Sequence, residues 1–153
     1  MSVSGLLYEL GSTVSVSREC MDAYDQLRSR KLKWIIFKIS DDKKDIVVED
    51  SSTDTDYEAF RKQLSETKDS KGKPAPRYAV YDCEFDLGGE GIRNKIIFIS
   101  WVPSGTPTFS SMIYATTRET LKNALNPHTS IHADDNDELE WKNLYDAGMT
   151  GKY

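Results

Sequence analysis

Apolar residues recur along the chain in two patterns, dense runs of strand length and spaced sets at helical period. Trp34 to Ile39 (WIIFKI) is a β-branched and aromatic run that predicts a buried strand. Asp41, Asp42 and two lysines supply a turn, after which Ile46 to Val48 predicts the returning strand of a hairpin. Arg77 to Leu87 alternates well enough for a central strand, Gly88 to Gly91 form a turn, and Lys95 to Trp101 returns antiparallel to it. Pro103 then ends the ladder.

Helical spacing begins at Ser17, an N-cap, with Cys20, Tyr24 and Leu27 on one face and an end near Arg30. The polar stretch Ser51 to Asp56 ends in a capping residue, and Tyr57, Phe60 and Leu64 follow as a short amphipathic helix. The longest pattern opens with Thr106 as N-cap and Pro107 as first helical residue. Phe109, Met112, Ile113 and Thr116 form its stripe; Thr116-x-x-Glu119 resembles a second capping box, and Leu121, Ala124 and Leu125 resume with a shifted phase. A long helix with a break near Thr116 is therefore expected, with Ser110, Ser111, Thr117, Arg118 and Lys122 on its other, solvated face. Asn126-Pro127 ends it, Ser130 to Ala133 predicts a short edge strand, and Asp137 to Tyr145 a final helix through Leu139, Trp141 and Leu144. Irregular interleaving of strands and helices predicts an α/β fold: a mixed sheet with helices on both faces.

The 153 residues suit one domain, expected over 14–147, with a mobile Ser-, Gly- and Thr-rich leader before it (1–13) and a short tail after it (148–153). Thr67 to Pro76 (TKDSKGKPAP) reads as an exposed loop with nothing apolar to bury. No apolar run is long enough to span a bilayer and the N-terminus lacks a signal's basic flank, so a cytoplasmic protein is expected. Cys20 and Cys83 read as free buried thiols. A net charge of -5 disfavours a general nucleic-acid binder.

No enzyme, cofactor or metal site emerges. His128 and His132 stand beside Asp134 and Asp135, but Pro127, Thr129 and Ile131 argue for extended chain and against a metal centre. The glycines at 88, 89 and 91 lack the lysine and Ser/Thr of a phosphate loop. The run Asp134 to Glu140 lacks the pattern of a calcium loop. Two surface features remain: the hydroxyl and basic face of the long helix, and Arg93 with Lys95, which point the same way on a strand.

The blocks DYEAF (56–60), RYAVYDCEFDL (77–87), RNKIIFISWVP (93–103) and SSMIYATTRETLKNAL (110–125) resemble the actin-depolymerising factor and cofilin family, in order and spacing, from about Val14 to Leu144. The Thr67 to Pro76 loop and NPHTSIHADD look like its fungal branch. The resemblance implies a single ADF-homology (gelsolin-like) domain with a mixed sheet of five to six strands. It implies a monomeric cytoplasmic protein of the cortical actin cytoskeleton, and of the nuclear matrix, that binds actin monomers and filaments, prefers ADP-actin, and severs and depolymerises filaments. Ser12, Thr13, Met112, Ile113, Thr117, Arg118 and Lys122 match the shared actin contact, and Arg93 and Lys95 the filament-only site. Arg93, Lys95, Arg118 and Lys122 could also meet phosphoinositide headgroups. The alternative is a non-severing monomer- or side-binding module regulated by such lipids.

The chain departs from the family pattern in places. Phe109, Ser111 and Asn123 stand where the long helix is usually basic, and Asp146 and Ala147, followed by Gly148, where the final helix usually carries a charged pair. Ser4-Gly5 matches the regulatory serine by motif and Ser12 by spacing. A phosphate on either would oppose an acidic partner by repulsion.

Overall fold

The structure is a computed structural model that describes residues 14–150. Among these residues six strands form one sheet: β1 (Ser15–Val16), β2 (Trp34–Ile39), β3 (Asp45–Ser52), β4 (Arg77–Asp86), β5 (Ile92–Trp101) and β6 (Thr129–Ala133). The α-helices are α1 (Arg18–Arg28), α2 (Tyr57–Ser65), α3 (Thr108–Leu125) and α4 (Trp141–Met149). The spatial order is β1-β3-β2-β4-β5-β6. The four central strands pair antiparallel, while β1 joins β3 and β6 joins β5 in parallel, so the sheet is mixed as expected.

Strand alternation divides the apolar side chains between two cores. Ile35, Phe37, Tyr78, Val80 and Phe98 pack under α1 and α3; Trp34, Ile36, Tyr81, Phe85, Ile97 and Ile99 pack under α2 and α4. Fully burying a side chain of this kind is worth about 1.5–3 kcal/mol. The expected caps form: Ser17 Oγ accepts from the Cys20 amide at 3.3 Å, and Asp56 Oδ1 from the amides of Glu58 and Ala59 at 3.1 and 3.3 Å. Asn126 closes α3 in the left-handed conformation, φ 54°, which asparagine tolerates.

Several boundaries differ from the sequence pattern. Val14 is buried in the first core and Ser15–Val16 add a strand that the leader composition concealed. Strand β3 runs on through Ser51 and Ser52, and β5 starts at Ile92, because hairpin pairing extends both past their apolar residues. Between Ile36 and Phe37 the register slips by one residue on β3. The extra residue is Glu49, and a bulge of this kind re-aims a side chain. Its carboxylate grips Arg77 in a two-pronged pair at 2.8 and 3.0 Å.

The 67–76 segment is a folded loop and not a featureless one. Lys68 bridges to Pro74, Ala75 is buried, and the Asp69 carboxylate accepts from the amides of Lys71 and Lys73 at 2.8 and 2.9 Å. Those amides and the two ammonium groups hold the Asp69 carboxyl below its usual range. The expected final helix is two pieces, a 3-10 turn at Asn136–Leu139 and α4, which continues through Gly148 and Met149. Gly148 is required there, since a Cβ would lie 2.5 Å from the Phe85 ring.

Candidate functional site

Helix α3 returns antiparallel over the sheet after β5 and offers one face to the core. At 100° per residue, positions four apart share a stripe, and Ile113, Thr117, Leu121 and Leu125, with Tyr114, form the buried one. Opposite them lies Met112, 45% exposed, with Ala115, Thr116, Glu119 and Asn123 around it, while Phe109, one turn before Ile113 on the same stripe, is 57% exposed in the first turn of the helix.

This arrangement differs from the sequence reading in four respects. Ile113 and Thr117, assigned to the contact face, are 8% and 0% exposed and pack inward. Met112, which the spacing placed on the packed stripe, faces out, and Phe109, at the start of that stripe, is exposed. No break interrupts α3: the Thr116 hydroxyl donates to the Ile113 carbonyl at 3.2 Å instead of capping a second helix. Pro107, not Thr106, occupies the N-cap, and the Thr106 hydroxyl donates to the Pro103 carbonyl at 2.6 Å.

The helix is positioned by Tyr114. Its buried hydroxyl accepts from the Ile39 amide at 2.8 Å, and its backbone carbonyl accepts from the Tyr78 hydroxyl. The outward residues therefore sit on a rigid element.

Arg118 and Lys122 are half-buried on the flank of α3 that faces β6. With Ser130, Ile131 and His132 they line a cleft of about 260 Å³, and Lys122 Nζ lies 3.8 Å from Glu119. The two histidines serve the sheet: His128 Nδ1 accepts from the Ile96 amide at 2.8 Å, and His132 Nδ1 lies 3.2 Å from Ser100 Oγ. Asp134, Asp135 and Glu138 do converge, their carboxylate oxygens within 4.8 Å of one another. They are exposed, and two of them cap the 3-10 turn: the Glu138 carboxylate accepts from the Asp134 and Asp135 amides, and that of Asp135 from the Glu138 amide.

Arg93 and Lys95 stand opposite Phe85 and Cys83 on the sheet face that carries α2 and α4. Arg93 is exposed and Lys95 half-buried, beside Ile92, 62% exposed, at the tip of the β4–β5 hairpin. The structure thus keeps the two cationic sets apart, one on each face of the sheet. Ser4, Ser12 and Thr13 lie outside the described residues. No helix among the described residues is long and apolar enough to cross a membrane.

Residues 13–147 match the family model described as cofilin/tropomyosin-type actin-binding protein. A cofilin of Schizosaccharomyces pombe is 44% identical over 135 residues, covering 87% of this chain and 93% of the relative. A cofilin of Saccharomyces cerevisiae is 36% identical over 143 residues, covering 92% and 95%. Among solved structures, a crystal structure of a Streptomyces griseoflavus cofilin superposes with a TM-score of 0.79 at 33% identity, covering 91% of this chain and 99% of that one.

Proposed function

Because the chain belongs to the cofilin/tropomyosin-type actin-binding family, we propose that it binds actin monomers and filaments and promotes filament disassembly through two separate surfaces. The observation that carries the proposal is the exposed surface of α3, where Phe109 and Met112 are uncovered and Arg118 and Lys122 line the flank toward β6, on a helix fixed by Tyr114. A rigid helix with an apolar centre and a basic flank fits a partner cleft of apolar floor and acidic edge. Met112, Arg118 and Lys122, joined by Phe109, make the contact with monomer and filament; Ser12 and Thr13 belong to it by resemblance. Ile113 and Thr117 act from within the core.

Arg93 and Lys95 form the second, filament-only contact. Their place on the opposite sheet face suits engagement of a second subunit while α3 holds the first. A ligand that binds two subunits and prefers one filament twist shifts the filament toward it without consuming anything. Severing follows from that preference, as does selectivity for ADP-actin. Phosphoinositide headgroups meeting Arg93, Lys95, Arg118 and Lys122 would compete with actin, a phosphate on Ser4 or Ser12 would oppose binding, and the cytoplasmic, cortical actin network is the place of action. A second reading, binding without severing, is favoured by one observation: the first ten residues of α3, Thr108 to Thr117, carry no charge.

The Arg93→Glu/Lys95→Glu protein tests the two-surface assignment. Fluorescence titration of labelled monomers should match the wild type while co-sedimentation with filaments falls. Equal loss of both activities would refute separate surfaces.

A further inference from the structure

Beside the uncharged half of α3 lies a cleft of about 660 Å³, walled by the 67–76 loop and the β2–β3 turn. Five lysines line it: Lys38, Lys43, Lys68, Lys71 and Lys73. No carboxylate lies within 4.0 Å of their ammonium groups among the described residues. The lining holds two acidic residues, Asp41 and Asp69; the Asp69 carboxylate accepts from the amides of Lys71 and Lys73, and that of Asp42, just outside the lining, from the Ser40 hydroxyl and the Lys44 amide. Two carboxylates in the lining, Asp41 and Asp69, thus stand against five lysines, and the cleft keeps an excess of positive charge. Arg77, also in the lining, is already neutralised by Glu49.

The floor is apolar, formed by Ala75, Pro76, Ile113 and Tyr114, and exposed Phe109 stands on the rim that the cleft shares with the outward face of α3. The helix enters this rim with no side chain bonded to its first-turn amides, so its positive end adds to the field of the lysines. In a chain of net charge -5 this is a local reversal of sign. The lysines come from the two walls, Lys38 and Lys43 from the β2–β3 hairpin and Lys68, Lys71 and Lys73 from the 67–76 loop. A cleft of about 660 Å³ with lysines on both walls has room for several carboxylates along a peptide segment.

We infer that this lysine cleft binds an acidic segment of the actin surface, adjoining the part covered by α3. The inference rests on the actin-binding reading. It assigns to the loop and the β2–β3 turn the long-range attraction that the uncharged half of α3 lacks, an effect that acts mainly on association rate and is weakened by salt.

Two variants test it from opposite walls: Lys68→Glu/Lys71→Glu/Lys73→Glu on the exposed loop and Lys38→Glu/Lys43→Glu on the strand and turn. Binding to labelled ADP-actin monomers is titrated at low and near-physiological salt, with thermal midpoints recorded for each protein. The expected result is about a tenfold loss of affinity at low salt for either variant, shrinking as salt rises, with an unchanged midpoint. Wild-type affinity in both variants would overturn the inference and leave the α3 contact standing. So would intact actin binding accompanied by lost binding to phosphatidylserine vesicles, which would turn the cleft toward membranes. Failure of the wild-type chain itself to bind monomers would overturn the actin reading, and the cleft assignment with it.

Discussion

The hydroxyl of Tyr114 accepts a hydrogen bond from the backbone amide of Ile39 at 2.8 Å, in the buried seam between α3 and the end of β2. The ladder between β2 and β4 ends at Phe37, and the helix supplies the partner that the sheet leaves out. Tyr114→Phe keeps the ring and orphans the amide, which costs about 1–3 kcal/mol. Urea unfolding should show that loss, together with weaker monomer binding, since the bond fixes the pitch of the exposed face.

Adjacent residues on α3 should behave in opposite ways. Ile113→Ala empties a buried position and should cost about 2–5 kcal/mol of stability. Met112→Ala, on the exposed side, should change stability by less than about 0.5 kcal/mol and weaken actin binding by more than about 1 kcal/mol. Denaturation and monomer titration on the two proteins check the assignment of inward and outward stripes.

Gly148 and Phe85 fit only as a pair. A methyl at 148 would sit 2.5 Å from Cε2 and 2.9 Å from Cζ of the ring, so Gly148→Ala should destabilise by about 1–3 kcal/mol. Phe85→Leu should relieve part of that cost, and a double-mutant cycle measured by thermal melting would reveal the coupling.

Stability should fall on the alkaline side. Cys20 is fully buried and its Sγ lies 3.2 Å from the Ile46 carbonyl; burial pushes the thiol from its ordinary 9.0 up to about 11. Burial likewise pushes the Tyr24 hydroxyl to about 12. Both groups keep their protons longer in the folded state than in the unfolded one. Their contribution is therefore complete below about pH 9 and is lost as pH rises toward 11 and 12. Urea midpoints between pH 7 and 11 should decline above 9, and less steeply in Cys20→Ala.

Much of the architecture was legible because apolar density and caps act locally. WIIFKI, the Arg77 to Trp101 hairpin and the caps at Ser17 and Asp56 need only neighbours in sequence to declare themselves. What stayed hidden depends on distant partners. Ser15 and Val16 become a strand only because β3 offers an edge, and Glu49 is a bulge only because Arg77 waits for it. On α3 the same limit inverted the stripe: Phe109 and Met112 are as apolar as Ile113, and a threonine at 117 gives no sign that it faces the core. The i, i+4 series through 113, 117, 121 and 125 was the available signal for the buried stripe and against Met112; Phe109 belongs to the same series and is exposed only because it lies in the first turn. The lysine cleft was half visible in TKDSKGKPAP, but its other wall lies some thirty residues earlier.

We propose that this chain disassembles actin filaments by binding them through two surfaces. Fluorescence imaging of single ADP-actin filaments over a range of protein concentrations tests it most directly, by counting breaks and following filament ends. Breaks at partial decoration, abolished in the Arg93→Glu/Lys95→Glu protein, are the predicted result. Filaments that decorate fully and neither break nor shorten would contradict it.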